Sequence, residues 1–203
     1  MSPSDPEPGA LARAVDILLR GGLVIFPTDT LYGLAADPRH ADGVARVYHA
    51  KGRLAWHALP LIAADLAQVQ VLATSLTEAT RRLAERFWPG PLTLLVDATP
   101  TIVPDVHGGT GGVAVRVPDH AVARALARRL GFPVVATSAN RSGSPASCLA
   151  EVAASALEGD VDLVLDGGPT PGGEPSTIVD ARGELPTLIR AGAIPFSLVL
   201  EAQ

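Results

Sequence analysis

Short apolar runs alternate with amphipathic segments along most of the chain, and this alternation constrains the fold more than any other feature. Residues 11–20 place leucine, valine and alanine at helical spacing and are followed by Gly21 and Gly22, which stop a helix. The run 23–26 is continuously apolar and ends at Pro27, as expected of a strand buried on both faces. Strands and helices that interleave in this way predict a layered α/β domain.

The same criteria divide the remaining chain into further elements. We predict helices at 41–50, 76–87, 120–130 and 149–157, an extended segment at 59–63, and strands at 92–96, 113–117, 133–136, 163–165, 177–179 and 187–189. No linker, repeat or low-complexity block interrupts this pattern, so we expect one domain over residues 10–203. Residues 1–9 are rich in proline and acidic side chains, which predicts a disordered tail and not a signal peptide.

Composition and charge argue against several classes of protein. The net charge of −5 disfavours a protein that mainly neutralises nucleic-acid phosphates. The single cysteine excludes an intramolecular disulfide, and the five histidines show neither i, i+4 pairing nor a companion cysteine cluster, which disfavours a zinc site. No apolar run approaches the length of a membrane span. We therefore expect a soluble cytoplasmic protein.

Polar residues concentrate in two segments that each follow a predicted strand. Residues 26–34 place three hydroxyl-bearing residues and a carboxylate in one turn, and residues 137–143 contain hydroxyls, an amide and a cation. In open α/β sheets, ligands bind beyond the carboxyl ends of strands. The two segments together predict a site for a small polar ligand, whereas either one alone fits an ordinary Asx or Ser/Thr turn.

Lys51 is the only lysine among sixteen basic residues. Lysine is a compact point charge, whereas arginine is a planar fork, so the two are not interchangeable. A lone lysine indicates contact with a phosphate or another anion. The alternative is one surface lysine left by chance in an arginine-biased composition.

Arg116 stands in the predicted strand 113–117, where a charged side chain needs an anionic partner or water. A ligand carboxylate bound bidentately would satisfy it, and so would an internal Asp or Glu. The preceding glycines of 108–112 are compatible with backbone contacts to an anion, or with a flexible surface loop. They form neither a Walker P-loop nor a dinucleotide fingerprint, because no Gly-Lys-Ser/Thr follows and no helix opens after them.

Seven ordered motifs together resemble the YrdC family, the threonylcarbamoyl-AMP synthases, over about residues 10–195. They lie at residues 26–34, 50–53, 87–93, 113–118, 137–145, 175–180 and 189–193. The resemblance implies a three-layer α/β fold with a twisted mixed sheet and flanking helices around a positively lined cavity. It also implies a chain without the extra carboxyl-terminal domain of longer relatives.

The resemblance further implies a reaction, in which L-threonine, bicarbonate and ATP condense to threonylcarbamoyl-AMP and pyrophosphate. Two anions meet in this reaction, so a cluster of cations is needed, helped by Mg²⁺ that ATP carries. The product would pass to a separate transferase complex that modifies the tRNA adenosine beside the anticodon. Direct binding of tRNA to this chain is left open.

Site residues follow from the motif match. The implied catalytic residues are Lys51 and Arg53. The implied ATP contacts are Lys51, Arg53, His57, Gly112, Asn140, Ser147, Cys148 and Arg190, and the implied threonine contacts are Thr30, Arg116, Ser138 and Ser176. No protein ligand to a metal is expected.

Four positions depart from the family pattern. Leu54 and His57 stand where Pro and then Asn or Lys are usual, Ile62 replaces a histidine that contacts threonine in some relatives, and Cys148 stands where Thr is common. The cationic cluster is retained, so we expect the reaction to be retained as well.

Two other functions remain as alternatives. An RNA-binding or ribosome-assembly factor of the same fold is disfavoured by the acidic balance and by the lack of aromatic stacking residues near the arginines. A carbamoyl-transfer domain is disfavoured because such domains occur within longer, cysteine-rich chains.

Overall fold

The computed structural model describes residues 8–53 and 57–202, which form seven α-helices, one 3-10 helix and nine strands. The helices are α1 (Pro8–Leu19), α2 (Ala41–Lys51), α3 (Leu66–Leu72), α4 (Glu78–Phe87), α5 (Ala121–Leu130), α6 (Ala150–Ala156) and α7 (Phe196–Glu201), with the 3-10 turn at Pro104–His107. The strands are β1 (Val24–Phe26), β2 (Gly33–Ala36), β3 (Leu61–Ile62), β4 (Leu92–Asp97), β5 (Gly112–Arg116), β6 (Val134–Ser138), β7 (Leu163–Val164), β8 (Thr177–Asp180) and β9 (Thr187–Arg190).

All nine strands belong to one sheet in the order β7-β1-β2-β6-β3-β5-β4-β8-β9. The pairs β1/β7, β3/β5 and β4/β8 are parallel, and the other neighbours are antiparallel. The predicted mixed α/β sheet with flanking helices is therefore confirmed.

Alternate side chains of the strands pack into different cores because successive residues point to opposite faces of a sheet. On one face, Ile25, Leu34, Val115 and Val135 pack with residues of α2, α3 and α6. At the β4/β8 end of that face, α4 and α7 form a smaller core. The sheet is thus covered along this side by five helices.

In the described part of the chain, the opposite face carries only two helices. Val24, Phe26, Ile62 and Val134 pack there with α1 and α5, and all four side chains are buried. Strands β4, β5 and β8 contribute no residue to this core. Part of the second face is therefore left without a helix, and this is where the site lies.

All predicted helices and strands are present, and their ends agree to within three residues. The predicted stop after α1 is confirmed, since Gly21 adopts a φ of 77° and the N–H of Gly22 donates to the carbonyl of Ile17 at 2.9 Å. Helix α1 begins at Pro8, so Pro8 and Gly9 belong to a helix and not to the predicted tail at 1–9. Residues 1–7 lie outside the described residues.

Four elements were missed, one of them the 3-10 turn at Pro104–His107. Strand β2 begins within the segment 26–34 that we interpreted as a turn, where Gly33 pairs with Phe26 of β1. Helix α3 begins after Asp65, whose carboxylate accepts from the N–H of Gln68 at 3.0 Å. Helix α7 follows Pro195. Each is seven residues or shorter, so its periodicity is weak.

No helix among residues 8–53 and 57–202 is long and apolar enough to cross a membrane.

Candidate active site

A cavity of about 600 Å³ lies over the part of the sheet that α1 and α5 leave open. Its floor is formed by alternate residues, such as Ala114 and Arg116 on β5 and Ala136 and Ser138 on β6. Val115, between the two β5 residues, packs into the core on the other side of the sheet. Strand register therefore determines which side chains reach the cavity, and a slip of one residue would exchange the two sets.

The charged side chains that line this cavity, among the described residues, are three arginines: Arg53, Arg116 and Arg190. Arg190 lies at the end of β9, and its Nη2 donates to the Ser176 carbonyl at 2.7 Å. Desolvation and the positive charge of Arg116 lower the pKa of the Arg190 guanidinium. Two like charges thus repel each other across the cavity, which favours an anionic ligand between them.

Arg53 follows the end of α2, where Gly52 adopts the left-handed conformation with a φ of 60°. Its Nη2 donates to the carbonyls of His57 and Ala58, each at 3.0 Å, and its guanidinium lies 5.7 Å from the centre of the Tyr48 ring. These contacts hold Arg53 at the cavity wall. The departure at Leu54 lies outside the described residues.

Lys51 is buried, with only 3% of its surface exposed, and does not line the cavity. Its Nζ donates to the Ser138 carbonyl at 2.6 Å, to the Asn140 carbonyl at 2.9 Å and to Asn140 Oδ1 at 3.4 Å. Burial, with a further contribution from the charge of Arg53, lowers the pKa of Lys51 to about 8. Lys51 is therefore not a surface residue left by chance, and its three donors are directed at the protein.

Asn140 completes the turn that Lys51 holds. Its Nδ2 donates to the carbonyls of Arg141 at 3.0 Å and Ser144 at 2.5 Å, and its side chain is buried. The Ser142 N–H also donates to the Lys51 carbonyl at 2.9 Å. Helix α2 and the loop after β6 are thus joined directly beside the cavity floor.

Three predicted threonine contacts, Thr30, Ser138 and Ser176, line the same cavity. Ser176 Oγ lies 2.7 Å from Thr93 Oγ1, and Thr30 Oγ1 lies 3.2 Å from Thr28 Oγ1. Two pairs of hydroxyl groups therefore line the same cavity as the arginines. Hydroxyls can both donate and accept hydrogen bonds, which suits a ligand that carries an ammonium group and a hydroxyl.

Six predicted ATP contacts do not line this cavity: Lys51, His57, Gly112, Asn140, Ser147 and Cys148. Gly112 begins β5, about 13 Å along the strand from Arg116, and a Cβ there would lie 2.8 Å from Arg182 Nη1. Contact of these six residues with ATP stays a prediction.

Ser147 and Cys148 instead support neighbouring loops. Ser147 Oγ accepts from the Leu149 N–H at 2.9 Å, and the Cys148 carbonyl accepts from the Thr170 N–H at 2.9 Å. Ile62 lines the cavity with an apolar side chain, so it offers no hydrogen bond to a ligand there.

Arg116 already has an internal anionic partner. Its Nη1 donates to both carboxylate oxygens of Asp29, each at 2.7 Å, and both side chains are largely buried. The internal pair that the sequence left open is therefore present. Sequence reasoning gave Asp29 no role, although it was noted as the carboxylate of the turn at 26–34.

A second cavity, of about 830 Å³, adjoins the first at Thr30, which lines both. Its lining is acidic and glycine-rich, with Asp29, Asp119, Glu174 and the segment 167–174. No group of three or more His, Cys, Asp or Glu side chains among the described residues could hold a metal ion.

Tyr32 fixes the start of the glycine-rich segment, and the sequence gave no signal for this role. Its hydroxyl donates to the Gly168 carbonyl at 2.8 Å and accepts from the Gly167 N–H at 3.1 Å. Burial raises the pKa of Tyr32 to about 12, so the phenol is neutral. This side chain joins the turn after β1 to the second cavity.

The fold and site together define an α/β protein with a cavity lined by arginines and hydroxyl groups. The family model described as "Telomere recombination", for Sua5, YciO and YrdC proteins, matches residues 16–192. The chain belongs to this family, so the predicted resemblance is confirmed.

Individual relatives cover the chain almost completely. A threonylcarbamoyl-AMP synthase of Bacillus subtilis is 40% identical over 195 residues, which are 96% of this chain and 56% of the relative. A putative threonylcarbamoyl-AMP synthase of Mycobacterium tuberculosis is 36% identical over 98% of this chain and 92% of its own length. This chain thus spans little more than half of the B. subtilis relative.

The fold is similar to that of P. abyssi Sua5, which has been solved in complex with L-threonine. The TM-score is 0.89 at 37% identity, and the match covers 95% of this chain and 56% of the Sua5 chain. The described sheet and helices therefore have the architecture of a little more than half of the Sua5 chain.

Titration of Lys51 should be visible in the stability of the protein. The buried ammonium loses its proton near pH 8, whereas in the unfolded chain it does so near 10.5, so the unfolded state binds more protons between these values. Stability should rise with pH in this window. Relative to Lys51→Met, the free energy of unfolding should increase by about 2 kcal/mol between about pH 7.5 and 9.5.

Urea denaturation of both proteins at the two pH values measures this difference. Other titrating groups are common to the pair and cancel. A difference that stays constant across the window would show that the Lys51 ammonium is not desolvated as described.

Proposed function

We propose that this chain condenses L-threonine, bicarbonate and ATP to threonylcarbamoyl-AMP, with release of pyrophosphate. The observation that carries the proposal is a single cavity in which Arg53, Arg116 and Arg190 lie beside the hydroxyls of Thr30, Ser138 and Ser176. The names of the relatives support it, since the B. subtilis and M. tuberculosis proteins carry this activity in theirs.

The charges of the reaction explain why the cavity is cationic. Bicarbonate takes up a proton and loses water to give carbon dioxide. Threonine's amine adds to the carbon dioxide and loses a proton to form a carbamate, and a carbamate oxygen attacks the α-phosphorus of ATP. The bond from that phosphorus to the bridging oxygen breaks, and pyrophosphate leaves with the electron pair. Attacking group and leaving group are both anionic, so fixed cations lower the barrier by stabilising the charge that develops.

Arg53 and Arg190 are the proposed phosphate contacts because both guanidinium groups line the cavity and are held by backbone carbonyls. Planar guanidinium groups bind phosphate oxygens bidentately. Lys51 would not contact the phosphates directly but would fix the end of β6 at Ser138 and the following loop at Asn140. Mg²⁺ would enter with ATP as part of the substrate.

Arg116 is the proposed contact for the threonine carboxylate, with Thr30, Ser138 and Ser176 around the rest of the amino acid. A site whose polar groups bind the threonine hydroxyl discriminates against amino acids without it, because those groups would be left unpaired. The domain that does this would be residues 10–203, in the cytoplasm. Its product would serve a separate transferase complex that modifies tRNA.

The activity itself is tested by pyrophosphate release. We expect release only when L-threonine, bicarbonate and Mg²⁺-ATP are all present, with threonylcarbamoyl-AMP identified by mass spectrometry. L-Valine, which replaces the hydroxyl with a methyl group of similar size, is the matched control substrate and should give little product. Equal pyrophosphate release without threonine would exclude the proposed reaction.

The arginine cluster is tested by a pair of alanine variants. Arg190→Ala removes a guanidinium from the cavity and should raise the KM for ATP by about 10- to 100-fold, the range for losing hydrogen bonds to a charged group. Arg128→Ala is the control, since Arg128 is exposed on α5 and pairs with Asp65 away from the cavity. If both variants keep the wild-type KM for ATP, the phosphates do not bind at Arg190.

A further inference from the structure

Asp29 and Arg116 form the wall between the two cavities. Arg116 lines the cationic cavity, whereas Asp29 lines the acidic one, and the ion pair of 2.7 Å joins them. Only 10% of the Arg116 side chain and 13% of the Asp29 side chain are exposed. A second contact holds Asp29 in place, since its Oδ2 accepts from the Asp119 N–H at 3.3 Å.

The pair uses only one of the three guanidinium nitrogens. Both hydrogen bonds to Asp29 come from Nη1. Within residues 8–53 and 57–202, Nη2 and Nε of Arg116 make no hydrogen bond. Since Nη2 and Nε together carry three N–H groups, Arg116 retains the donors for a second, bidentate carboxylate while it stays bound to Asp29.

The negative charge of Asp29 also offsets the repulsion between Arg116 and Arg190. Arg190 and Arg116 line the same cavity, and burial together with the positive charge of Arg116 lowers the pKa of Arg190. Without a carboxylate behind it, the Arg116 guanidinium would be repelled by Arg190 and would lose the contact that fixes its plane. Asp29 therefore has two effects on Arg116, which are to neutralise it and to orient it.

We propose that Asp29 is a positioning residue for amino-acid binding, which holds Arg116 by Nη1 so that Nη2 and Nε face the ligand carboxylate. This inference rests on the proposed function for the identity of the amino acid. Asp29 remains paired with Arg116 when the ligand is bound. It is neither a carboxylate that the ligand displaces nor a direct contact of the ligand's ammonium group.

The test compares two ligands that differ only at the carboxylate, L-threonine and L-threoninol, in which a hydroxymethyl group replaces it. Calorimetry on the full chain should show that Asp29→Asn weakens threonine binding about fivefold or more, as expected for residues in one hydrogen-bond network. Threoninol binding should be unchanged, because it does not use Arg116. Asp119→Asn is the control and should change neither affinity, since Asp119 reaches Asp29 only through its backbone.

Each other result contradicts the inference. Tighter threonine binding by Asp29→Asn would mean that Asp29 competes with the ligand for Arg116. Equal weakening of both ligands would mean that Asp29 binds the ammonium group. Unchanged affinities of Asp29→Asn for both ligands would leave Asp29 with a structural role only. In kinetic measurements, a positioning role requires that Asp29→Asn raise the KM for threonine with little change in kcat.

Two further measurements keep the inference separate from folding and from the proposed reaction. If Asp29→Asn fails to fold, the wild type can be studied by nitrogen NMR of its arginine side chains. The Arg116 signal, identified by its loss in Arg116→Lys, should show restricted rotation of the guanidinium before threonine is added. Free rotation would contradict the inference. Pyrophosphate release by the wild type tests the reaction alone, because a protein that binds threonine without making pyrophosphate would fail only as the proposed synthase.

Discussion

Incomplete coverage of one face of the sheet is the constraint on which the site depends. Five helices cover the first face, whereas α1 and α5 pack over only part of the second. Side chains of β4, β5, β6 and β8 that point to this open part form the cavity floor. A sheet buried on both sides would have no room for polar residues at these positions, because an unpaired charge in a core is costly.

The arrangement of charges follows from the same geometry. Three arginines line one cavity, so their mutual repulsion has to be offset by protein carboxylates or by a bound anion. Asp29 offsets the charge of Arg116 from the neighbouring cavity, and backbone carbonyls hold Arg53 and Arg190. Lys51 contributes a fourth positive charge beneath the floor, where it fixes the loop after β6. In the proposed reaction, the triphosphate would supply the remaining negative charge.

Sequence patterns predicted most strands and helices because apolar periodicity is a local property. They missed β2, since Gly33 to Ala36 follow directly on the polar turn and become a strand only through pairing with β1 and β6. Motif matching found the six predicted residues that line the cavity. It did not find the burial of Lys51 or the partner of Arg116, since these depend on contacts between residues that are 87 or more positions apart.

A crystal structure of this chain with L-threonine and a non-hydrolysable ATP analogue tests the central claim most directly. The account predicts both ligands over the open part of the sheet, with the threonine carboxylate on Nη2 and Nε of Arg116 and phosphate oxygens on Arg190. Lys51 should still donate to Ser138 and Asn140, and Asp29 should still contact Nη1. Ligands bound in the acidic cavity alone, or a Lys51 side chain turned toward the phosphates, would contradict it.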